Sequence, residues 1–505
     1  MTTEPSSFDD PLVSYRDPDV SRDALLSLGT TVWADALDWL YGQASEVPTR
    51  GLTYRASRER FFGSGADPSA PPVDGRPWRE ILADVRDRVA SDAFSYAHPR
   101  TFAYFTPPPL PIGIAADVWA PWLNQGVDIW QGAPAATFVE EEVIAWLRTL
   151  VGFPDDAFGV LTSGGAMANL MALAVARDHA PGSEDVPRAS ALGPMRIYGS
   201  DQTHFSITRA LDILGFDDDS FRAIRSDAAF RIDVQELARA IEEDVSTGAR
   251  PLAIVAIAGT TNTGAVDPIS AVADVAARFG LWLHVDAAYG GAVRLSERDA
   301  DRVADLRLAD SITLDPHKWF FQPYDIGGLL VRRRSDLYTT FHRSPEYLRS
   351  IHEEPLDWYH YTLEGTRRFR GLKLWMSWKH LGTRGFGRLV ERTNDLAAYL
   401  ADRCRSDPAL ELAVDPAELS VVCFRALPPA DATVTDGEID DHQDRIQRHL
   451  ERSRAGWLST TKLRGRTYLR AGIMNYMATE EDIDGLLDAV RRSSHAERQL
   501  IEEDP

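Results

Sequence analysis

Residues 252–286 have the sequence LAIVAIAGTTNTGAVDPISAVADVAARFGLWLHVD, and its pattern decides the fold. A short apolar run rich in β-branched residues comes first, followed by a turn with Gly and Pro, a segment with helical spacing and a second apolar run. Strands that are joined through a helix in this way are parallel neighbours in one sheet. The stretch therefore predicts an α/β core.

Similar runs on both sides of this stretch extend the alternation over roughly residues 101–332. The further apolar runs are RIYGS, SITLD and GGLLVR, and the helical run AMANLMALAVARDHA precedes them. Strands that alternate with helices predict a mostly parallel sheet with helices on both faces. Ligands bind to such sheets beyond the carboxyl ends of the strands, so functional residues are expected directly after the apolar runs.

The whole sequence predicts three regions. Residues 1–95 form a helical segment that cannot bury its apolar side chains alone and is expected to wrap around another part of the protein. Residues 96–385 form the large domain that contains the sheet. Residues 386–505 form a small α+β domain with two strands, LSVVCFRAL and TYLRAG, and covering helices.

Composition excludes several classes of protein. The chain has 505 residues, 44% of them hydrophobic, which is typical of a globular enzyme, and its net charge of −22 argues against nucleic acid or an acidic membrane as partner. No apolar stretch reaches the ~20 residues that span a bilayer, and the N-terminus lacks the pattern of a signal peptide. The two cysteines have neither metal-site spacing nor a disulfide framework, so we expect no metal and a cytoplasmic location.

Lys318 stands out among the cationic residues. The chain has 54 lysine and arginine residues, and only four of them are lysines. Lys318 follows the apolar run of SITLDPHKWFF, at a predicted strand end. An ammonium group can lose its proton and form a Schiff base with a carbonyl, whereas a guanidinium group stays charged. A surface lysine with its stem on apolar neighbours is the alternative interpretation.

Three other features follow predicted strands. The segment TSGGAMANL places a glycine turn before a helix, which presents backbone N–H groups to an anion. Asp286 ends the run LWLHVD, where a buried carboxylate needs a cationic partner. His204 follows RIYGS in DQTHFS. An ordinary turn and a core histidine would be the structural alternatives for the first and the third feature.

Together the four features predict a pyridoxal 5′-phosphate site. This cofactor combines a phosphate, a pyridine nitrogen, a flat ring and an aldehyde, and each of these parts has a partner among the four features. A buried carboxylate keeps the ring nitrogen protonated, and the positive ring then withdraws electrons from a carbanion. Lys318 is the residue predicted to bind the aldehyde.

The motifs TSGG, DQTHFS, GTTNTGAVDPI, HVDAAYGG and DPHKW occur in this order. Over roughly residues 90–480 the chain resembles the group II pyridoxal-phosphate decarboxylases, which include aromatic-L-amino-acid, histidine, glutamate and diaminobutyrate decarboxylases. The resemblance implies the aspartate-aminotransferase-type fold (fold type I), with a large, mostly parallel seven-stranded sheet and a small C-terminal α+β domain. It also implies an intertwined homodimer with shared active sites, around which the N-terminal segment wraps.

The resemblance implies roles for individual residues. Lys318 carries the cofactor, Asp286 partners the pyridine nitrogen and His204 stacks on the ring. Further contacts with ring and phosphate are implied for Gly164, Gly165, Ala166, Thr261, Ala288 and His317.

Three other segments resemble substrate-pocket segments of the family. HPRTFAYFT supplies Phe102, Tyr104, Phe105 and Thr106. NQGVDIWQGAP supplies Asp128 and Trp130, which the resemblance implies reach the pocket of the partner subunit. RSPEYL resembles a loop whose tyrosine, here Tyr347, donates a proton after carbon dioxide leaves.

Three departures from the family pattern bear on the phosphate site and on the substrate. Ala166 and Met167 stand where many relatives have Ser and Glu, and Asp315 stands where animal aromatic decarboxylases have Asn. Asp128 stands where aromatic decarboxylases have a pocket phenylalanine, whereas relatives that act on basic amino acids often have Asp in this stretch.

Several functions remain open at this point. Decarboxylation of an aromatic L-amino acid is the first choice, because HPRTFAYF and the tryptophans near it offer stacking surface. The alternatives are a decarboxylase of a basic or acidic amino acid, an aldehyde synthase, a non-enzymatic vitamin carrier, or an aminotransferase on the same fold. An aminotransferase would hold the substrate carboxylate with an arginine of the C-terminal domain, for which Arg470 in YLRAG is a candidate.

Overall fold

A computed structural model describes residues 18–42, 53–65, 70–179, 195–343, 356–428 and 434–503. The chain divides into two compact units. The first comprises Met1–Phe102, Thr435–Thr460 and Met477–Pro505, and the second comprises Ala103–Val434 and Thr461–Tyr476. The division into three domains that the sequence predicts stays a prediction.

The described helices, in chain order, are α1 Pro18–Gly42, α2 Tyr54–Phe62, α3 Trp78–Asp84, α4 Pro111–Leu123, α5 Pro134–Val151, α6 Gly165–His179, α7 Ser206–Leu214, α8 Val234–Ser246, α9 Ile269–Phe279, α10 Arg334–Phe341, α11 Gly371–Arg405, α12 Asp436–Ser453 and α13 Glu480–Glu503. Helices α1, α2, α3, α12 and α13 belong to the first unit. None of the described helices is long and apolar enough to cross a bilayer.

Helix α12 shows how a cap sets a helix boundary. The helix begins at Asp436. Thr435 is the N-cap: its hydroxyl accepts from the Glu438 N–H at 3.3 Å, and the Glu438 carboxylate accepts from the Thr435 N–H at 2.7 Å. This capping box pairs two backbone donors that the first turn of a helix leaves without acceptors.

The strands are β1 Phe158–Thr162, β2 Met195–Ser200, β3 Phe221–Ile224, β4 Arg250–Ile257, β5 Trp282–Asp286, β6 Ser311–Leu314, β7 Gly327–Val331, β8 Leu410–Leu412, β9 Val421–Ala426, β10 Ser459–Leu463 and β11 Arg466–Gly472. They form a seven-stranded sheet of order β1-β7-β6-β5-β4-β2-β3 and a four-stranded sheet of order β10-β11-β9-β8.

The large sheet confirms the predicted fold class. Its pairs β2–β3, β2–β4, β4–β5 and β5–β6 are parallel, and only β7 runs antiparallel, to β1 and to β6. All residues of β5 and β6 are buried, which agrees with their continuous apolar runs, because helices cover both faces of such a sheet.

The small sheet differs from the expectation of two strands. Strands β9 and β11 are the two that the sequence predicts, and β8 and β10 complete the sheet. Strand β8 has only three residues, and β10 has the partly exposed sequence STTKL, so neither contains the apolar run that predicts a strand. The short edge strand β3 of the large sheet lacks that run as well.

The registers bring the ends of the central strands together. Ile257 at the end of β4 pairs with Asp286 at the end of β5, and Asp286 pairs with Thr313 near the end of β6. Thr162, the last residue of β1, pairs with Gly327 at the start of β7. The carboxyl ends of β1, β4, β5 and β6 therefore lie at one edge of the sheet, as ligand binding to this class of sheet requires.

Candidate active site

A cavity of the second unit lies at this edge, with about 500 Å³ of empty space. Its lining includes seven of the nine residues predicted to contact the cofactor, namely Gly165, Ala166, His204, Thr261, Asp286, Ala288 and Lys318. The other two lie against each other, since a Cβ atom on Gly164 would be 3.2 Å from Cε1 of His317. The structure thus gathers residues that are more than 150 positions apart in the sequence.

Lys318 extends from the loop after β6 into the cavity. Its Nζ lies 3.2 Å from Oδ2 of Asp315, and the side chain is 24% exposed. His317 Nε2 lies 3.5 Å from the same carboxylate oxygen, and burial lowers the pKa of the imidazole below its ordinary value. The ammonium group of Lys318 therefore has a carboxylate partner and remains accessible from the cavity.

Asp286 is buried, with 8% of its surface exposed. Oδ2 accepts a hydrogen bond from Nδ2 of Asn169 at 2.9 Å, and Oδ1 accepts from the N–H of Ala288 at 3.1 Å. Among the described residues no cation forms an ion pair with this carboxylate. The carboxylate thus has two hydrogen-bond donors, and a cationic group of a ligand would be a suitable charged partner for it in this buried position.

His204 is partly buried beside Asp286. Its Nδ1 lies 2.8 Å from Oγ of Ser206 and accepts the Ser206 N–H at 3.3 Å. Burial lowers the pKa of this imidazole, and the nearby Lys318 charge acts in the same direction, whereas Asp286 opposes it. The ring is therefore neutral near pH 7 and presents a flat surface at the cavity.

The glycine turn after β1 leads into α6. Gly165 and Ala166 line the cavity at the first positions of this 15-residue helix, where backbone N–H groups lack acceptors within the helix. A Cβ atom on Gly165 would lie 2.8 Å from Oδ2 of Asp315 and 3.3 Å from Cβ of Ala288. Only glycine leaves space there, and the positive end of the helix dipole favours an anion.

Aromatic rings form one wall of the cavity. Phe105 stacks on Tyr289 at 4.1 Å between ring centroids, and Tyr289 stacks on Trp319 at 4.6 Å. Arg470 covers Phe105, with its guanidinium carbon 4.7 Å from the ring centroid, and its Nε donates to the carbonyl of Thr261 at 2.9 Å. The candidate for an aminotransferase carboxylate-binding arginine thus packs behind an aromatic side chain of the cavity wall.

The residues predicted from HPRTFAYFT occupy different places. Phe105 is the one that lines the cavity. Phe102 is fully buried in the first unit, where its N–H donates to the carbonyl of Trp457 at 2.9 Å. Tyr104 is 54% exposed, and the Thr106 hydroxyl shares a hydrogen bond of 2.8 Å with that of Tyr324.

Asp128 and Trp130 do not line the cavity of their own chain. The backbone N–H of Trp130 donates to Oδ1 of Asp357 at 2.8 Å. The backbone carbonyl of Asp128 accepts from the backbone N–H of Tyr359 at 3.1 Å. Within the described parts of the chain, the Asp128 carboxylate has neither a hydrogen-bond nor an ion-pair partner. Tyr347 lies outside the described residues.

Sequence reasoning missed Asn169, Ser206 and Tyr289, which also line the cavity. Asn169 lies four residues after Gly165, on the same face of α6, so helical spacing from the glycine turn could have identified it. Ser206 and Tyr289 stand inside the quoted motifs DQTHFS and HVDAAYGG. Among the described residues no group of three or more His, Cys, Asp or Glu side chains could hold a metal ion.

Each chemical part of pyridoxal 5′-phosphate has a complementary group in this cavity. The aldehyde requires an amine, which Lys318 has, and the ring nitrogen, once protonated, suits the carboxylate of Asp286, which lacks a cationic partner among the described residues. The glycine turn at the start of α6 has the space and the N–H groups for the phosphate. The fold and the cavity therefore define a pyridoxal-phosphate enzyme of fold type I.

Comparison with known proteins supports the assignment to the pyridoxal-phosphate enzymes. The family model described as the pyridoxal-dependent decarboxylase conserved domain matches residues 64–427. The chain is 35% identical over 415 residues to aromatic-L-amino-acid decarboxylase of Bacillus atrophaeus. The aligned residues make up 82% of this chain and 84% of that protein. It is 33% identical over 422 residues to L-2,4-diaminobutyrate decarboxylase of Rhizobium meliloti (strain 1021), covering 83% of this chain and 82% of that protein.

A solved structure is similar over nearly the whole chain. The crystal structure of Oryza sativa TDC with PLP and tryptamine has a TM-score of 0.87 and 27% sequence identity, and the match covers 96% of this chain and 99% of the other. The chain belongs to the pyridoxal-dependent decarboxylase family. It is an amino-acid decarboxylase whose cofactor is pyridoxal 5′-phosphate.

Proposed function

We propose that the enzyme decarboxylates an aromatic L-amino acid to its amine and carbon dioxide. The observation that carries this choice is the aromatic wall of the cavity, in which Phe105 and Tyr289 stack at 4.1 Å. An aromatic side chain packs on such a wall with more apolar contact than a charged one, and ring pairs add favourable stacking geometry. A relative that is 35% identical, named aromatic-L-amino-acid decarboxylase, supports the same choice.

We further propose the residues that act in the reaction. Pyridoxal 5′-phosphate, when bound, supplies the electron sink that stabilises negative charge on the substrate carbon. Lys318 holds the cofactor covalently, and the backbone N–H groups of Gly165 and Ala166 bind its phosphate, with Gly164, Thr261, Ala288 and His317 as further contacts. Asp286 keeps the ring nitrogen protonated, because its buried carboxylate would accept a hydrogen bond from the N–H of the protonated ring.

Two residues of the proposal act on the substrate side of the ring. His204 stacks on the ring, and its neutral state adds no second positive charge beside Lys318. Tyr347 gives a proton to the substrate carbon after carbon dioxide has left; the similarity of RSPEYL to a loop of the family supports this assignment. Phe102, Tyr104 and Thr106 belong to the same proposed substrate segment as Phe105.

A second candidate substrate is a basic amino acid such as L-2,4-diaminobutyrate. Asp128 favours it, because its carboxylate has no partner among the described residues and could bind a substrate ammonium group in the partner subunit's site, next to Trp130. The Rhizobium meliloti relative, 33% identical, is named for this substrate.

One experiment separates these functions. The purified enzyme is loaded with the cofactor and incubated with phenylalanine, tyrosine, tryptophan, dopa, diaminobutyrate, lysine and glutamate, with and without a keto acid, and carbon dioxide, amine, aldehyde and hydrogen peroxide are measured. Aromatic substrates should give carbon dioxide and amine in equal amounts. Carbon dioxide only from diaminobutyrate or lysine would select the second candidate, aldehyde with peroxide would indicate an aldehyde synthase, and keto-acid-dependent turnover without carbon dioxide would indicate an aminotransferase.

A homodimer with shared active sites completes the proposal. Helix α4 exposes apolar side chains: Trp119 is 60% and Trp122 is 67% exposed. A second copy of the chain is the partner that would cover them, and its segment with Asp128 would then reach this subunit's cavity. Cys404 and Cys423 are buried and form no disulfide, which supports a location in the cytoplasm, where thiols stay reduced.

A further inference from the structure

A chain of buried hydrogen bonds runs beneath the cavity. Asn169 on α6 is 1% exposed, and its Nδ2 donates both to Oδ2 of Asp286 at 2.9 Å and to Oγ of Ser206 at 3.0 Å. Its Oδ1 accepts from the Thr313 hydroxyl at 2.6 Å and contacts Nε2 of His284 at 3.0 Å. A primary amide can form four such bonds, and Asn169 forms all of them.

The hydrogen bonds run in one direction, because the Asp286 carboxylate accepts from Nδ2 of Asn169 and thereby leaves Oδ1 of Asn169 as the acceptor for His284. The indole of Trp282 can only donate, and it donates to Oγ of Ser311 at 2.9 Å. Oδ1 of Asn169 can only accept, so the His284 proton lies on Nε2, and Nδ1 of His284 accepts from the Ser311 hydroxyl, 2.9 Å away. Burial lowers the pKa of His284 to about 4, so this imidazole is neutral and carries one proton.

The direction continues from Asn169 to the cavity. Because Nδ2 of Asn169 donates to Oγ of Ser206, the Ser206 proton is free to point at Nδ1 of His204, 2.8 Å away. The Ser206 N–H approaches the same nitrogen at 3.3 Å. His204 therefore accepts at Nδ1 and carries its proton on Nε2. One amide group thus contacts the carboxylate assigned to the ring nitrogen and, through Ser206, the imidazole assigned to the ring face.

We propose that Asn169 is a positioning residue that orients Asp286 and His204 together for the cofactor, and that Ser206 transmits its effect to His204. The inference rests on the proposed function, since it takes both residues as the cofactor's partners. A rigid, fully hydrogen-bonded amide keeps the carboxylate aimed at the ring nitrogen, while the serine keeps the imidazole parallel to the ring. Neither effect requires Asn169 itself to touch the substrate.

Two variants test the proposal by cofactor binding. Asn169→Leu removes both donors, and Ser206→Ala removes only the branch to His204. Cofactor-free protein is titrated with pyridoxal 5′-phosphate, and the dissociation constant and the visible circular dichroism of the bound cofactor are measured. We expect Asn169→Leu to weaken binding by about 10- to 100-fold, because its bond is to a charged group, and Ser206→Ala by about 2- to 10-fold. Both should change the dichroic band, which depends on the orientation of the ring.

Tyr198→Phe is the matched control. Tyr198 is a buried residue of β2, and its hydroxyl donates to Asp244 at 2.8 Å. This hydrogen bond does not belong to the series of hydrogen bonds around Asn169. The variant should leave the dissociation constant and the dichroic band unchanged. Parent-like affinity and an unchanged band in Ser206→Ala and in any folded Asn169→Leu protein would overturn the positioning role. If the parent itself binds no cofactor and gives no visible band, the proposed function fails instead.

Discussion

Lys318 differs from the other three lysines in what surrounds it. Lys373 is buried and pairs with Asp117 at 2.9 Å, and Lys379 lies 4.0 Å from the ring centroid of Trp375. Lys462 is exposed on β10. Only Lys318 among the four lines the cavity, so only its amine has access to a bound aldehyde.

We therefore expect replacement of Lys318 to remove covalent attachment of the cofactor. Lys318→Ala and Lys318→Arg should both lose the borohydride-reducible adduct, since a guanidinium group does not react with the aldehyde. Mass mapping of reduced peptides gives the measurement, and Lys462→Arg is the control, which should keep the adduct. An adduct mapped to Lys373, Lys379 or Lys462 in the parent would contradict the assignment.

Asp286→Asn tests the proposed pairing of this carboxylate with the ring nitrogen. The variant keeps the size of the side chain and removes its negative charge, so the ring nitrogen loses its proton and the ring becomes a poor electron sink. We expect weaker binding of the cofactor and turnover that is slower by several orders of magnitude. Steady-state rates at saturating cofactor give the comparison, and a rate near that of the parent would refute the role of Asp286.

Substitutions of Asp128 test which class of amino acid the enzyme prefers as its substrate. If its carboxylate binds a cationic group, Asp128→Phe should raise the ratio of kcat/KM for phenylalanine over kcat/KM for diaminobutyrate. Asp128→Asn, which removes the charge but adds no ring, separates the loss of attraction from the gain of stacking surface. The same ratio in all three proteins would assign Asp128 a structural role only.

At the scale of elements, β7 packs against the glycine turn that follows β1. Gly327 begins this strand, and a Cβ atom there would lie 2.5 Å from Cα and 2.6 Å from C of Gly164. Backbone atoms cannot give way as the end of a flexible side chain can. The antiparallel direction of β7, which brings its first residue beside the last residue of β1, is thus a condition for the shape of the turn.

Gly327→Ala should displace this turn. We expect a loss of about 1–3 kcal/mol in the free energy of unfolding, typical of overpacking, together with weaker binding of the cofactor. Gly328→Ala is the matched control, because a Cβ atom at Gly328 would meet nothing nearer than 3.7 Å. Chemical denaturation and cofactor titration of the two variants give the comparison. Equal affinity in both would show that the turn tolerates the added methyl group.

At the scale of the whole molecule, the exposed face of α4 predicts association. Sedimentation should give a mass about twice the chain mass of 56.1 kDa. Trp119→Asp with Trp122→Asp should shift the protein towards monomers and reduce activity, because charges at a covered apolar face are costly to bury. Val245→Asp, which changes another exposed apolar residue, should leave the mass unchanged. A parent enzyme that is monomeric and fully active would exclude shared active sites.

The sequence by itself determined the class of the fold and the main chemistry. Continuous apolar runs such as those of β4 and β5 predict buried parallel strands, because such runs occur where helices cover both faces of a sheet. That Asp286 and Lys318 line the cavity could be expected, because Asp286 ends such a run, Lys318 lies in the loop after another, and an ionisable group at a buried strand end needs a partner. These are local properties, which depend on a few neighbouring residues.

Only the tertiary structure decided which distant groups meet. Asn169 is 117 residues from Asp286, and no spacing in the sequence indicates that its amide donates to that carboxylate. The partner of Lys318 is Asp315, a position that the sequence marked only as a departure from relatives. Strands β8 and β10 exist because β9 and β11 offer them backbone hydrogen-bonding edges, although their own residues lack an apolar run. Such contacts depend on register and packing between elements, which a pattern of neighbouring residues does not contain.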